Sequence, residues 1–344
     1  MYVIIYNQEL EGSNMKELYQ DILTEDYPLF IDKYLELPEF KRIDNIGIFC
    51  GADYVKYMGI KFWYSRLDHS KTVALMTYHF THNKTMTLAA LFHDLGTPCF
   101  SHCIDYLLGD SINQESSEKS ISEIINNSDE LKKYLEFDNV NINDLDDISK
   151  FTIVENKKPK LCVDRLDGVL STCLAWAKTM TLKDIMTIYN DIIVVTNEDN
   201  ELELSFKTKE IAEKFFKCSY EYSMILQKNE DKFMMQFIAD MLKKVITDGQ
   251  LNLQELYKIK ESDVLKILKQ YPSWNIFCNL DGIERAEIMP DGYYVNVKSK
   301  KRYTNPLCGN NRIINISDRC AEMLKEYENF EDTKYVYSKK IKNL

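Results

Sequence analysis

The stretch Ala89-Ala90-Leu91-Phe92-His93-Asp94-Leu95-Gly96 sets an ionisable pair inside an apolar helical run. Leu88, Leu91, Phe92 and Leu95 lie on one side, and Met86, Ala89 and Ala90 on the other. A helix that is apolar all round belongs in the interior. A carboxylate is costly there unless it is paired or coordinates a metal. The run therefore predicts a buried helix over 85–95, stopped at Gly96, at the centre of a mainly helical core. All five histidines, His69, His79, His82, His93 and His102, fall within the 34 residues from 69 to 102.

Working outward, a helix over 67–80 places His69, Val73, Met76 and Phe80 at i, i+4, i+7 and i+11. Residues so spaced share one stripe, so His69 is expected to point inward. A helix over 101–108 sets His102 and Asp105 one turn apart. Farther on, a helix over 161–178 carries an apolar stripe through Leu166, Val169, Leu170, Cys173, Leu174 and Ala177. Its other face holds Asp164 with the small residues Gly168, Ser171 and Ala175, where an exposed face would carry Lys or Glu. This implies a second buried face and a carboxylate in need of a partner. Together His69, His93, Asp94 and Asp164 make a four-ligand set from three helices. Two imidazoles and two carboxylates suit a divalent ion such as Mn²⁺, Fe²⁺, Mg²⁺, Ni²⁺ or Zn²⁺. Such an ion would polarise a phosphoryl group and lower the pKa of bound water.

Composition bounds the rest. The 344 residues are 45% hydrophobic and 28% charged, enough for one large domain or two. A net charge of −11 argues against binding nucleic acid through bulk positive charge. An anionic small substrate would need local Arg and Lys, or a metal. Nine cysteines, an odd number without a CxxC, read as reduced thiols of a cytoplasmic protein. Cys99 and Cys103 flank His102 but read as core thiols. No apolar stretch reaches the roughly 20 residues that cross a bilayer.

Residues 2–6 open with a β-like run, and 47–51 read as a turn or short strand. The polar segment 109–158 is expected to hold short helices within 117–135 and surface loops such as 139–147. Residues 191–196 and 201–206 read as a hairpin closed by Asn197-Glu198-Asp199-Asn200. Helices follow at about 208–228, 231–248 and 262–270, then a ribbon at 293–297 with Arg302-Tyr303, then a last helix at 317–328. The basic run from Lys298 to Arg302 reads as a solvated ribbon, or else as an anion contact at a subunit interface. The division expected is 1–190 for the catalytic part and 191–344 for a smaller α+β lobe.

Four ordered motifs carry a resemblance. Arg66-Leu67-Asp68-His69-Ser70, then His93-Asp94-Leu95-Gly96, then Phe100-Ser101-His102-Cys103-Ile104-Asp105, then Val163-Asp164-Arg165-Leu166-Asp167 look like the HD-domain metal-dependent phosphohydrolases. Within these, the likeness is to the branch of dNTP triphosphohydrolases that includes the SAM-and-HD-domain dNTPase and the bacterial dGTPases. The 199–202 hairpin and the ribbon at Asn305-Pro306 extend it over roughly 40–335. The resemblance implies an HD-type helical core with one metal on His69, His93, Asp94 and Asp164. It implies hydrolysis of a dNTP to deoxynucleoside and triphosphate. Arg66 and Arg165 match phosphate-contacting positions, His102 a catalytic histidine, and Asp105 its supporting carboxylate; Arg66 is grouped with these two in the catalytic set. Members of the branch are commonly oligomeric, so a homo-oligomer is expected.

This chain departs from the branch at several positions. Thr97 stands where a second histidine is usual, and Gln114-Glu115 where a His-Glu pair is usual. Gly168 replaces a sugar-packing tyrosine, and a substrate-binding Arg and Tyr are missing near Ser219 and Gln227. The expectation is a metal-dependent nucleotide phosphohydrolase. The alternatives are an HD phosphodiesterase or phosphatase on another nucleotide, and a nucleotide sensor with little turnover.

Overall fold

The computed structural model describes residues 15–23, 26–114 and 120–344. The chain is mainly α, with small sheets confined to its C-terminal part. The β-like run at 2–6 and the site candidate Glu115 lie outside the described residues. No helix among the described residues is long and apolar enough to cross a membrane.

The central pair of helices is Arg66–Thr81 and Lys84–Phe92, packed against each other. Ser65 opens the first with a capping box. Its hydroxyl accepts from the Asp68 amide at 3.0 Å, and the Asp68 carboxylate accepts from the Ser65 amide at 2.8 Å. His82, at φ 46°, ends that helix, and Asn83 caps the next by accepting from the Met86 amide. The turn between them thus takes only two residues. Helix Val163–Ala175 packs across the first of the pair, its small residues facing inward as expected: Ser171 and Ala175 are buried.

Two expectations need correction here. The helix expected over 85–95 ends at Phe92, and His93-Asp94 form the turn that follows it. The Leu95 amide bonds the Phe92 carbonyl and the Thr97 amide the Asp94 carbonyl, so the chain tightens well before Gly96. The expected surface loop over 139–147 contains a short helix, Ile142–Asp146, started by the Asn141 side chain and anchored by buried Leu145. Other elements fall close to expectation. Cys103–Leu107 is helical with His102 at its N-cap, and Ile121–Asn126 and Asp129–Asp138 are the short polar helices.

The hairpin is present as β1 (Ile192–Thr196) and β2 (Leu202–Phe206), antiparallel with Val194 opposite Leu204. Two long helices follow, Lys209–Gln227 and Asn229–Thr247, then Glu261–Leu268 and an unexpected helix Pro272–Cys278, which begins on the proline. Strand β3 (Glu284–Ala286) and the short β4 (Tyr294–Val295) flank β7 (Tyr335–Tyr337) in one sheet. Strands β5 (Leu307–Cys308) and β6 (Asn311–Arg312) extend the hairpin in the order β1-β2-β5-β6, with β5 parallel to β2. The last helix is Asp318–Asn329. One continuous set of buried apolar side chains runs from Tyr19 to Ile341.

Candidate metal centre

His69 lies on the inner stripe of helix Arg66–Thr81 and is only 3% exposed. Its Nδ1–H donates to Asp167 Oδ2 at 2.5 Å. Asp167 is fully buried and also accepts from the Tyr19 and Tyr64 hydroxyls, at 2.5 and 3.1 Å. A carboxylate held by two phenols fixes the ring's orientation and leaves Nε2 as a lone pair. The His93 Nδ1–H donates to the Ala90 carbonyl at 2.7 Å, and its Nε2 is likewise an acceptor.

Those two Nε2 atoms face each other at 3.2 Å. Asp164 Oδ1 lies 3.0 Å from the first and 3.7 Å from the second. Asp94 Oδ2 lies 3.9 and 3.8 Å from them. Two nitrogen lone pairs and two carboxylates converging this closely repel one another unless a cation sits among them. With protons as the only cations available, burial would favour neutral His69, but Asp164 and Asp167 outweigh it and raise its pKa to about 10. A divalent ion with nitrogen and oxygen ligands at about 2.0–2.2 Å answers the same demand. His69, His93 and Asp94 alone hold ligand atoms all within 4.8 Å of one another, a geometry that could hold a metal ion. Asp164 stands beside the two histidines as the sequence spacing requires. The donor set fits a metal.

Asp94 is held at both oxygens. Arg66 Nη1 donates to Oδ2 at 2.9 Å, and the Thr97 hydroxyl donates to Oδ1 at 3.1 Å. Burial works against ionisation, but Arg66 and the two histidines keep the carboxyl well below its usual range. Thr97 thus helps to orient the Asp94 carboxylate. Arg66 lines the cavity in front of the centre and spends one of its donors on Asp94 and another on Ser101 Oγ, at 3.1 Å.

That cavity measures about 410 Å³, within the range of small-molecule sites. His102 reaches it with Nδ1–H donating to Asp105 at 3.0 Å, so Nε2 is the free nitrogen. Burial depresses the imidazole to about 4, helped by the charges of Arg302 and Arg66 and opposed by Asp105. Burial therefore favours the neutral form of His102. Arg165 borders the cavity, but its guanidinium bonds Asn156 and the Lys160 carbonyl and so pins the 156–160 loop.

Gly168, one turn after Asp164, borders the cavity, and a Cβ built there would meet nothing within 4 Å. The wall is open where the branch carries a tyrosine. Ser219 bonds Thr304 at 2.5 Å and Gln227 bonds the Lys300 carbonyl at 2.9 Å, so both positions fasten the 298–304 ribbon. Gln114 accepts from Arg302 Nη2 at 2.5 Å. The ribbon is partly solvated, with Lys298 and Lys301 exposed, while Lys300 and Arg302 border the same cavity.

Sequence reasoning missed Lys158 and Asp231, which also border it. Asp231 is 6% exposed, forms no hydrogen bond or ion pair among the described residues, and is pushed up to about 7 by burial. Its position near the start of a long helix gave no local sign of this. His79 packs its ring on Tyr189, His82 caps a helix, and all nine cysteines are free, in keeping with structural roles.

No protein-family model matches the chain. Over 247 residues, 70% of this chain and 73% of the other, it is 23% identical to an uncharacterized protein of Bacillus subtilis strain 168, YdhJ.

Proposed function

We propose that the chain is an HD-type, metal-dependent phosphohydrolase acting on a nucleotide, with a dNTP, cleaved to deoxynucleoside and triphosphate, as the first candidate. One observation supports this above the others: two histidines, each with its Nδ1 proton engaged, aim bare Nε2 atoms at one point beside Asp94 and Asp164. His69, His93, Asp94 and Asp164 would hold the ion. A bound divalent cation supplies Lewis-acid polarisation of a phosphoryl oxygen and acidifies a water.

The remaining work falls to the chain's own side chains. Arg66 keeps Asp94 ionised and presents positive charge to the cavity. Asp105 holds the His102 Nδ1 proton, leaving Nε2 to accept one. Arg165 holds the 156–160 loop at the rim. The apolar and aromatic part of the lining, with Trp176 and Tyr222, offers surface for a sugar and base.

The test is a panel of nucleotides with Mn²⁺, Mg²⁺ or Fe²⁺, read by chromatography of products. Triphosphate release is expected; phosphate or diphosphate would move the reading to another HD phosphatase or phosphodiesterase. His93→Ala should lose both metal content and turnover, and a variant keeping both would sink the site assignment. A second reading, a sensor that binds nucleotide without turnover, is favoured by the engagement of Thr97 and Gln114 with Asp94 and Arg302. Tight binding with no product is its signature.

A further inference from the structure

The cavity has a basic wall that the ligand set does not explain. Lys300 and Arg302 come from the extended 298–304 segment, and Lys158 from the 156–160 loop. Both segments are fixed. The ribbon is tied by the Lys300 amide to the Ser111 carbonyl (3.1 Å), by Ser299 Oγ to the Leu226 carbonyl (3.0 Å), and by the Arg302 amide to the Tyr327 hydroxyl (2.8 Å). The loop is tied to the ribbon by the Asn305 amide, which donates to the Pro159 carbonyl at 2.7 Å. The backbones that carry the three cations, and the side chains of Lys300 and Arg302, are therefore held in place before any ligand arrives, which removes part of the ordering cost of binding.

None of the three cations pairs with a carboxylate among the described residues. Lys300 Nζ donates to the Asn113 carbonyl and Arg302 to the Gln114 amide oxygen; Lys158 has no acceptor there. Asp231, on the same cavity, closes no ion pair with Arg302. Lys158 feels lost hydration first, then the charges of Arg302, Lys300 and Arg165, and its pKa falls to about 7. Like charges gathered on one wall with no paired carboxylate among the described residues are available to a ligand.

We propose that Lys158, Lys300 and Arg302 form a clamp for the linear polyphosphate tail of the substrate. A single phosphate carries about −1.5 to −2 charges at pH 7. It cannot neutralise the three cations of the wall together, whereas a chain of phosphates can run from the histidine-aspartate cluster along the wall. The clamp makes selection by tail length a property of the 298–304 ribbon, apart from the residues that hold the ion. It rests on the cavity being a nucleotide site, and the experiment separates the two ideas.

The full chain as purified, with excess metal removed, is titrated calorimetrically with sodium tripolyphosphate and with orthophosphate at low ionic strength. Tripolyphosphate is expected to bind at least tenfold tighter. Arg302→Ala and, at an exposed loop position that does not endanger folding, Lys158→Ala should each weaken it about tenfold, the size expected for a lost charge-assisted contact. Lys298→Ala, on the same run but off the cavity, should change nothing. Equal affinity for the two anions, or variants that bind tripolyphosphate as wild type does, overturn the clamp. If the clamp behaves as expected and no nucleotide is hydrolysed, the hydrolase reading fails while the clamp stands. Nucleotide turnover with unchanged KM in both variants has the opposite meaning.

Discussion

His69 is committed by the nitrogen that faces away from His93. Asp167, gripped by Tyr19 and Tyr64, takes the Nδ1 proton and turns Nε2 toward His93. Replacing such an outer partner costs about 10–100-fold in metal affinity. Asp167→Asn should show that loss in a competition titration against a chromophoric chelator, and an unaltered affinity would deny the carboxylate its orienting role. Asp231 offers a different test. Its folded-state pKa near 7 lies above its unfolded value, so the folded chain keeps a proton that the unfolded chain releases near pH 4. Stability is thus lost as pH rises through that interval and stays lost above it. Asp231→Asn removes the ionisation and should stabilise the fold at pH 8 relative to pH 4, by on the order of 2–4 kcal/mol. Thermal melts of both proteins across this range decide; a difference that ignores pH would dismiss the buried charge. The His69, His93 and Asp94 cluster was legible in the sequence because the order and helical spacing of its residues are informative. Asp167 was visible only as part of a motif, since its function depends on tyrosines 103 and 148 residues away. A lone lysine in a polar loop, such as Lys158, carries no local mark at all.

At the scale of elements, the long helices were readable, while their ends and the short helices Ile142–Asp146 and Pro272–Cys278 were not. Apolar periodicity continued through Leu95, but the turn at His93-Asp94 answers to hydrogen bonds and ligand direction rather than to hydropathy. The hairpin was readable from its turn residues, while its continuation through β5 and β6 was not, because two-residue strands leave no pattern. That extension is clasped by a buried pair. Glu203, fully buried on β2, accepts from Arg312 of β6 at 2.6 and 2.8 Å, from Asn197 at 2.9 Å and from the Leu161 amide at 3.0 Å. Removing one partner leaves a buried charge uncompensated, at about 3–5 kcal/mol. Arg312→Ala should lower the urea midpoint accordingly, and Glu203→Gln in the same background should restore part of it. An Arg312→Ala midpoint equal to that of wild type would refute the clasp.

For the whole molecule, the mainly helical class with a small sheet-bearing C-terminal region follows from patterning, and the structure agrees. The cavity was not readable, because it lies where distant segments meet: its lining comes from within residues 48–114, 155–176, 219–235 and 299–304. A ligand that binds only the folded chain stabilises it by mass action, by about 2.7 kcal/mol at one hundred times Kd. Added Mn²⁺ should therefore raise Tm, chelation should reverse the gain, and His93→Ala should abolish it. A melt indifferent to both treatments in wild type would leave the centre without an ion.

The basic ribbon and the His-Asp cluster border one cavity from separate segments, and the ribbon is anchored by Gln227, the Leu226 carbonyl and Tyr327 rather than by the cluster. The two halves of the job are thereby free to diverge. On the proposed reading, descendants of this chain can redraw residues 298–304 and take up new ligands while inheriting an untouched His-Asp cluster, and a protein engineer can follow the same route with a seven-residue graft.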